Sequence, residues 1–339
     1  MAVSSTFSKV DEYGFERPED FDYETYEDFM SHYLIVLAKR AKKWTDLFGE
    51  GKSLKRNLTV KRYVRKGIPG SLRARVWMSV SGADLMRERA SPNLYGTILA
   101  GPKDESLVDI VRTDLPRTFP DNIFFTEETS RLENSHRQML FNVLVAYGHH
   151  NREVGYCQGL NYIVGLLLLV TKDEETAFWL LKMLVEHTLP QYYICTMAGL
   201  ITDIDVLAEL VRIKVPEVHA HVTALGLPWA VIATKWFVCL FAEVLPTETV
   251  LRIWDCLFYE GSKIIFRVSL TLIMRNKENL LKCSDFSALV ECFKEITKDS
   301  LVLQCHEFME SIFKTPGSLP GSTITKLRTK ISQEKEAKK

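Results

Sequence analysis

The chain has 339 residues, 46% of them hydrophobic and 25% charged, with 43 basic side chains against 43 acidic. That composition excludes the disordered, collagenous and supercharged classes, and a formal net charge of zero gives no global attraction to nucleic acid or to an acidic membrane. The balance is a sum of unlike parts, because Lys9 to Asp28 holds nine acidic residues against two basic and Lys39 to Arg75 holds thirteen basic against two acidic.

Met1 to Phe21 has no basic segment leading into an apolar run, and residue 2 is alanine, so neither a signal peptide nor N-myristoylation is expected. Tyr26, Phe29, Met30, Tyr33, Leu34, Leu37, Ala41, Trp44 and Phe48 recur at three and four residues, which predicts an amphipathic helix over 23–48. Ser71 is placed to cap a helix carrying Leu72, Val76 and Trp77, and Ser91-Pro92 to start another. Helices are predicted over 131–149, 159–170 and 173–188, with Thr171 to Glu174 reading as a capping box between the last two. Further helices fit 200–213, 229–244, 247–260, 263–281, 285–297 and 300–313. Pro316 to Gly321 reads as a linker, and Ser322 to Lys339, polar and basic, as a mobile tail. No alternating segments with Asn-Gly or Asp-Gly turns occur, so the expected fold is all-α.

Apolar stretches such as Leu160 to Val170 are shorter than the roughly 20 residues a bilayer requires. Seven scattered cysteines with no CxxC point to reduced thiols in a cytoplasmic protein. Gly49-Glu50-Gly51-Lys52-Ser53 resembles the end of a phosphate-binding loop, but Asp46 stands where glycine is needed and a helix precedes it instead of a strand. His149-His150 lacks a third ligand at sensible spacing, and no GxSxG, HExxH or GxGxxG occurs, so no metal or cofactor site is expected in this chain. The basic run lacks the interleaved aromatics of a single-strand binder, and nucleic acid is not an expected partner. Trp77, Trp229, Trp236 and Trp254 are expected in the core.

Two polar segments carry groups suited to charge stabilisation. In Val111-Arg-Thr-Asp114-Leu-Pro116-Arg117, the proline stops the preceding helix, so that Arg117 emerges from a turn, and Asp114 is spaced to hold its guanidinium. Taken alone, the two residues read as an ordinary local ion pair. In Gly155-Tyr156-Cys157-Gln158-Gly159, flanking glycines permit a tight path, and the two-residue step sets Tyr156 and Gln158 on one side of an extended loop. A carboxamide donates and accepts at once, which suits orienting a water; taken alone, the segment is also a structural turn in which Gln158 satisfies backbone groups.

Their order and separation change the reading. Arg73-Ala-Arg-Val-Trp77, then Val111 to Arg117 with Asp114, then Tyr156-Cys-Gln158 resemble in register the RxxxW, IxxDxxR and YxQ motifs of the TBC-domain family of Rab GTPase-activating proteins. Arg65-Lys-Gly-Ile-Pro69, Leu227-Pro-Trp229, Lys235-Trp236-Phe237 and Arg252-Ile-Trp254-Asp255 also look like the family's pattern, and Val111 replaces its usual isoleucine.

The resemblance implies a V-shaped all-α domain of two subdomains: an N-terminal extension over 1–64, the domain proper over 65–265, helices completing it over 266–315 and the tail over 316–339. It implies a GTPase activator that enters a GTP-bound Rab-family protein with Arg117 as an arginine finger and Gln158 as a glutamine finger, Asp114 holding Arg117 and Tyr156 shaping the loop. GTP and Mg²⁺ then arrive on the partner, with no cofactor here and no independent enzymatic activity. The expected setting is cytoplasmic, with at most peripheral, transient association at endomembranes, in the control of vesicle trafficking. The alternative is a Rab-binding scaffold or effector without activating capacity.

Overall fold

The computed structural model describes residues 9–17, 19, 21–48, 54–126, 129 and 135–337. Among these every regular element is a helix, and extended backbone pairs only in isolated bridges, Val10 with Glu16 and Phe15 with Asn122. The chain is all-α, as expected. The glycine-rich segment Gly49–Ser53 lies outside the described residues, as do positions 131–134.

The first helix, Tyr23–Phe48, follows the predicted stripe. Trp44 anchors it, buried and donating from Nε1 to the Gly67 carbonyl at 3.1 Å. Leu34 is exposed instead, because at 3.6 residues per turn it sits about 80° around the axis from Trp44.

Several boundaries move for local reasons. The helix Gly70–Ser81 has Pro69 at its N-cap, which leaves Ser71 inside the first turn with no capping bond. The next predicted start gives way to Leu94–Ala100, entered from Asn93 in left-handed conformation. At Glu174–Met183 the capping group is Asp173, whose Oδ2 accepts from Thr176 N at 2.8 Å, so the cap lies two residues after Thr171. The stretch 229–244 is helical only over Trp229–Val238, since Leu240 and Phe241 take positive φ. The stretch 263–281 divides at Asn276, and the last predicted helix divides at Gln304. Leu58–Lys66 and Pro216–Ala224 are helices that the periodicity did not reveal.

The chain divides into two compact units, the first comprising Met1–Tyr63, Gly67–Tyr156 and Val164–Leu181, the second Val64–Lys66, Cys157–Ile163 and Lys182–Lys339. In the first, Trp77, Tyr147, Phe178 and Trp179 are buried. The segment 9–17 belongs to this same unit.

In the second unit Trp236 and Trp254 are buried as expected, but Trp229 is only half-buried, its ring stacked on His219 with centroids 6.4 Å apart. Arg65 and Arg252, distant in sequence, meet there. Arg65 clasps Glu260 through Nε at 2.6 Å and Nη2 at 2.9 Å, and Arg252 Nη2 donates to the Arg65 carbonyl at 3.2 Å.

The expected mobile tail is a correction. Gly321–Glu336 is a helix packed against Ala198–Lys214. Ile324 and Ile331 are buried, and Arg328 between them donates to both oxygens of buried Asp203 at 2.6 Å each. A helix this polar gains its stability from such tertiary contacts, which composition does not reveal.

No helix among the described residues is long and apolar enough to cross a membrane, and none of the seven cysteines forms a disulfide.

Candidate functional site

The site grows from the end of the helix Glu105–Asp114. Asp104 starts this helix by accepting from Ser106 N at 2.9 Å, and Val108 and Val111 bury its inner face, so the valine variant of the motif keeps its core-facing role. The end is set by Pro116, and Thr118 Oγ1 turns back to donate to the Asp114 carbonyl at 2.8 Å, satisfying one of the orphan acceptors of the last turn.

The Asp114 side chain is buried and both of its oxygens are engaged. Oδ1 pairs with Nη2 of Arg117, and Oδ2 accepts from the hydroxyl of Tyr156. Arg117 itself remains 49% exposed. One face of the guanidinium is therefore restrained, with half of its side-chain surface still open to solvent. The local ion pair and the presented cation are the same arrangement.

Beyond Arg117 the loop is held by groups that sequence reading missed. Thr118 and Phe119 are buried, and Phe119 adopts a left-handed φ of 48°, a conformation that costs about 1–3 kcal/mol in a bulky residue unless packing fixes it. That packing comes from Phe15 and Phe125, at centroid distances of 5.2 Å and 5.9 Å. Gly165 completes it, since a Cβ there would stand 2.9 Å from Phe119 Cε2 and 3.3 Å from Thr118 Cγ2.

Tyr156 is the last residue of its stretch in the first unit, and Gln158 belongs to the second. Gln158 is exposed in the turn that leads into the helix Leu160–Thr171. That turn is fixed by Gly159, whose N–H donates to buried Asn161 Oδ1 at 3.0 Å. Its φ of 108° and its contact with Val238 Cγ1, which a Cβ would overlap, leave no residue but glycine there. Burial raises the Cys157 thiol above its ordinary value, which argues against a nucleophile between Tyr156 and Gln158.

Three of the four predicted residues, Asp114, Arg117 and Tyr156, are thus brought together in the first unit. Arg73 is buried and donates from Nη1 to the Tyr13 hydroxyl at 2.5 Å.

An all-α chain with an aspartate-clamped arginine, followed by a tyrosine two residues before an exposed glutamine, matches one protein class in sequence as well. A family model for the Rab-GTPase-TBC domain matches residues 70–281, and the chain belongs to this RabGAP-TBC family, whose partner class is the Rab GTPases. Among its relatives, growth hormone-regulated TBC protein 1 of Homo sapiens is 52% identical over 96% of both chains. Growth hormone-regulated TBC protein 6 of Caenorhabditis elegans is 36% identical over 89% of this chain and 87% of its own. The crystal structure of the Chlamydomonas flagellar RabGAP TBC domain superposes with a TM-score of 0.75 at 33% identity, covering 90% of this chain and 99% of that one. The Ypt/Rab-GAP domain of Gyp1p shares the fold, with a TM-score of 0.69 at 18% identity over 83% of this chain and 98% of its own.

Proposed function

We propose that this chain accelerates GTP hydrolysis by a GTP-bound Rab-family GTPase, supplying Arg117 and Gln158 in trans. The observation that carries the reading is the clamp on Asp114, which restrains Arg117 through one oxygen and Tyr156 through the other, with the guanidinium half exposed.

The chemistry follows from what a small GTPase lacks. Negative charge develops on the phosphoryl oxygens in the transition state, and the attacking water needs orientation. A guanidinium keeps its charge at any physiological pH, and a water-excluding contact strengthens its attraction for the developing anion. Restraint by Asp114 lowers the entropy lost when Arg117 enters the partner's phosphate site. The Gln158 carboxamide can accept from a water and donate to the phosphate at once. Arg117 is then worth about 10³ to 10⁵ in rate, or roughly 4 to 7 kcal/mol. GTP and Mg²⁺ come with the partner, and this chain contributes no cofactor and no general base.

The setting proposed is cytoplasmic, with transient contact at endomembranes, in the control of vesicle trafficking. Single-turnover GTP hydrolysis across a panel of Rab proteins tests the reading. Acceleration of at least one Rab supports an activator; binding to GTP-loaded Rab with no change in rate supports a scaffold instead.

A further inference from the structure

The segment 9–17 lies before the residues matched by the family model and contains none of the three motifs, yet it is built into the unit that carries Arg117. It is a closed turn. Asp11 Oδ1 accepts from the amides of Tyr13 and Phe15 at 2.9 Å each, Asp11 N donates to the Phe15 carbonyl at 2.9 Å, and Gly14 supplies a φ of 88°. Burial raises the Asp11 carboxyl above its ordinary value even against these backbone donors.

One face of this turn touches the residues that follow the finger. Buried Asn122 donates from Nδ2 to the Tyr13 carbonyl at 2.8 Å, and Ile123 N donates to the Gly14 carbonyl at 3.0 Å. Phe15 meets the left-handed Phe119 edge-on, two residues beyond Arg117. The other anchor is the Tyr13 hydroxyl on buried Arg73. Arg73 therefore reaches the finger loop through the N-terminal turn.

We propose that the turn 9–17 is a positioning element for Arg117, acting through Phe119 and Asn122, and that Tyr13 and Phe15 are its contact residues. This rests on the activator reading above. A left-handed phenylalanine has a relaxed alternative close by, and the aromatic edge of Phe15 together with the Asn122 bond selects the strained one. Loss of that selection lets the finger sample other positions, and misplacement by about 1 Å can cost about a hundredfold in rate.

The test uses the full chain in two independent arms. Amide hydrogen exchange is measured without partner at Thr118 and Asn122, whose N–H groups bond to Leu115 and Phe119 and not to the turn itself. Single-turnover hydrolysis is measured with a GTP-loaded Rab that responds to wild type. In Phe15→Ala, exchange at both amides should rise about tenfold, and kcat should fall between about tenfold and a hundredfold with KM unchanged. Tyr13→Phe, which removes only the hydroxyl on Arg73, should move both readouts the same way by less, and Phe15→Leu should recover part of the rate. Unchanged exchange in Phe15→Ala overturns the proposal, and so does faster exchange with unchanged kcat. If wild type accelerates no Rab, the activator reading falls and this role falls with it, a result separable from the first two because the exchange arm needs no Rab.

Discussion

Tyr156 donates its hydroxyl to the same carboxylate, that of Asp114, which pairs with Arg117 through its other oxygen. Asp114 and Tyr156, one residue from each of two motifs and 42 positions apart, therefore combine to hold Arg117. Tyr156→Phe keeps the ring and removes that bond, so stimulated hydrolysis should drop about 10- to 150-fold, the size of one hydrogen bond to a charged group. Asp114→Asn removes the charge that orients Arg117 and should cost more than Tyr156→Phe. Measuring kcat and KM separately checks this, since a lost restraint acts mainly on kcat.

Gly165 lies against Phe119 and Thr118 with no room for a methyl group. Gly165→Ala should therefore lower unfolding stability by about 1–3 kcal/mol and reduce stimulation of the Rab, without altering Arg117 or Gln158. Denaturant melts read the first effect, and single-turnover kinetics read the second.

The spacing of Asp114 and Arg117 was legible because a proline-terminated helix brings residues three apart together. The hydroxyl bond of Tyr156 was not, since an isolated YxQ carries no information on what lies opposite. Phe119 reads as an ordinary core aromatic; nothing local to it reveals that Phe15 and Gly165 hold it left-handed. The same limit hid the helix Gly321–Glu336, whose sparse apolar residues look solvated until Asp203 is found buried opposite Arg328. The all-α fold class follows from periodicity, and the motif order carries the resemblance that singles out Arg117 and Gln158, whereas the contacts that hold these segments depend on long-range packing.

Arg328 is the main polar tether of that last helix. Arg328→Ala leaves the Asp203 carboxylate buried with only the Tyr192 hydroxyl and should destabilise the chain by about 3 kcal/mol. A fall in melting temperature with helicity retained elsewhere checks this. A variant that melts like wild type would return the segment to the status of a solvated appendage.

Acid should weaken the second unit through Glu260. Burial alone would raise this carboxyl, but Arg65 and Lys263 outweigh it and hold the group down to about 2, against an ordinary 4.5. A depressed carboxylate contributes stability that is present above its unfolded value and lost as pH falls through the folded one, so the loss spans about pH 4.5 to 2 and amounts to roughly 3 kcal/mol. Denaturant midpoints followed over that window should fall more steeply for wild type than for Glu260→Gln, which has no such proton to bind.

If Arg117 and Gln158 together supply what a Rab lacks, single-turnover GTP hydrolysis by a responsive Rab carrying its own catalytic glutamine or an alanine in its place should depend on both. Wild type should accelerate both Rab forms. Arg117→Ala should lose about 10³-fold or more on each, and Gln158→Ala should lose most of its stimulation even where the Rab keeps its own glutamine. Undiminished stimulation by Arg117→Ala and Gln158→Ala would overturn the assignment of both residues.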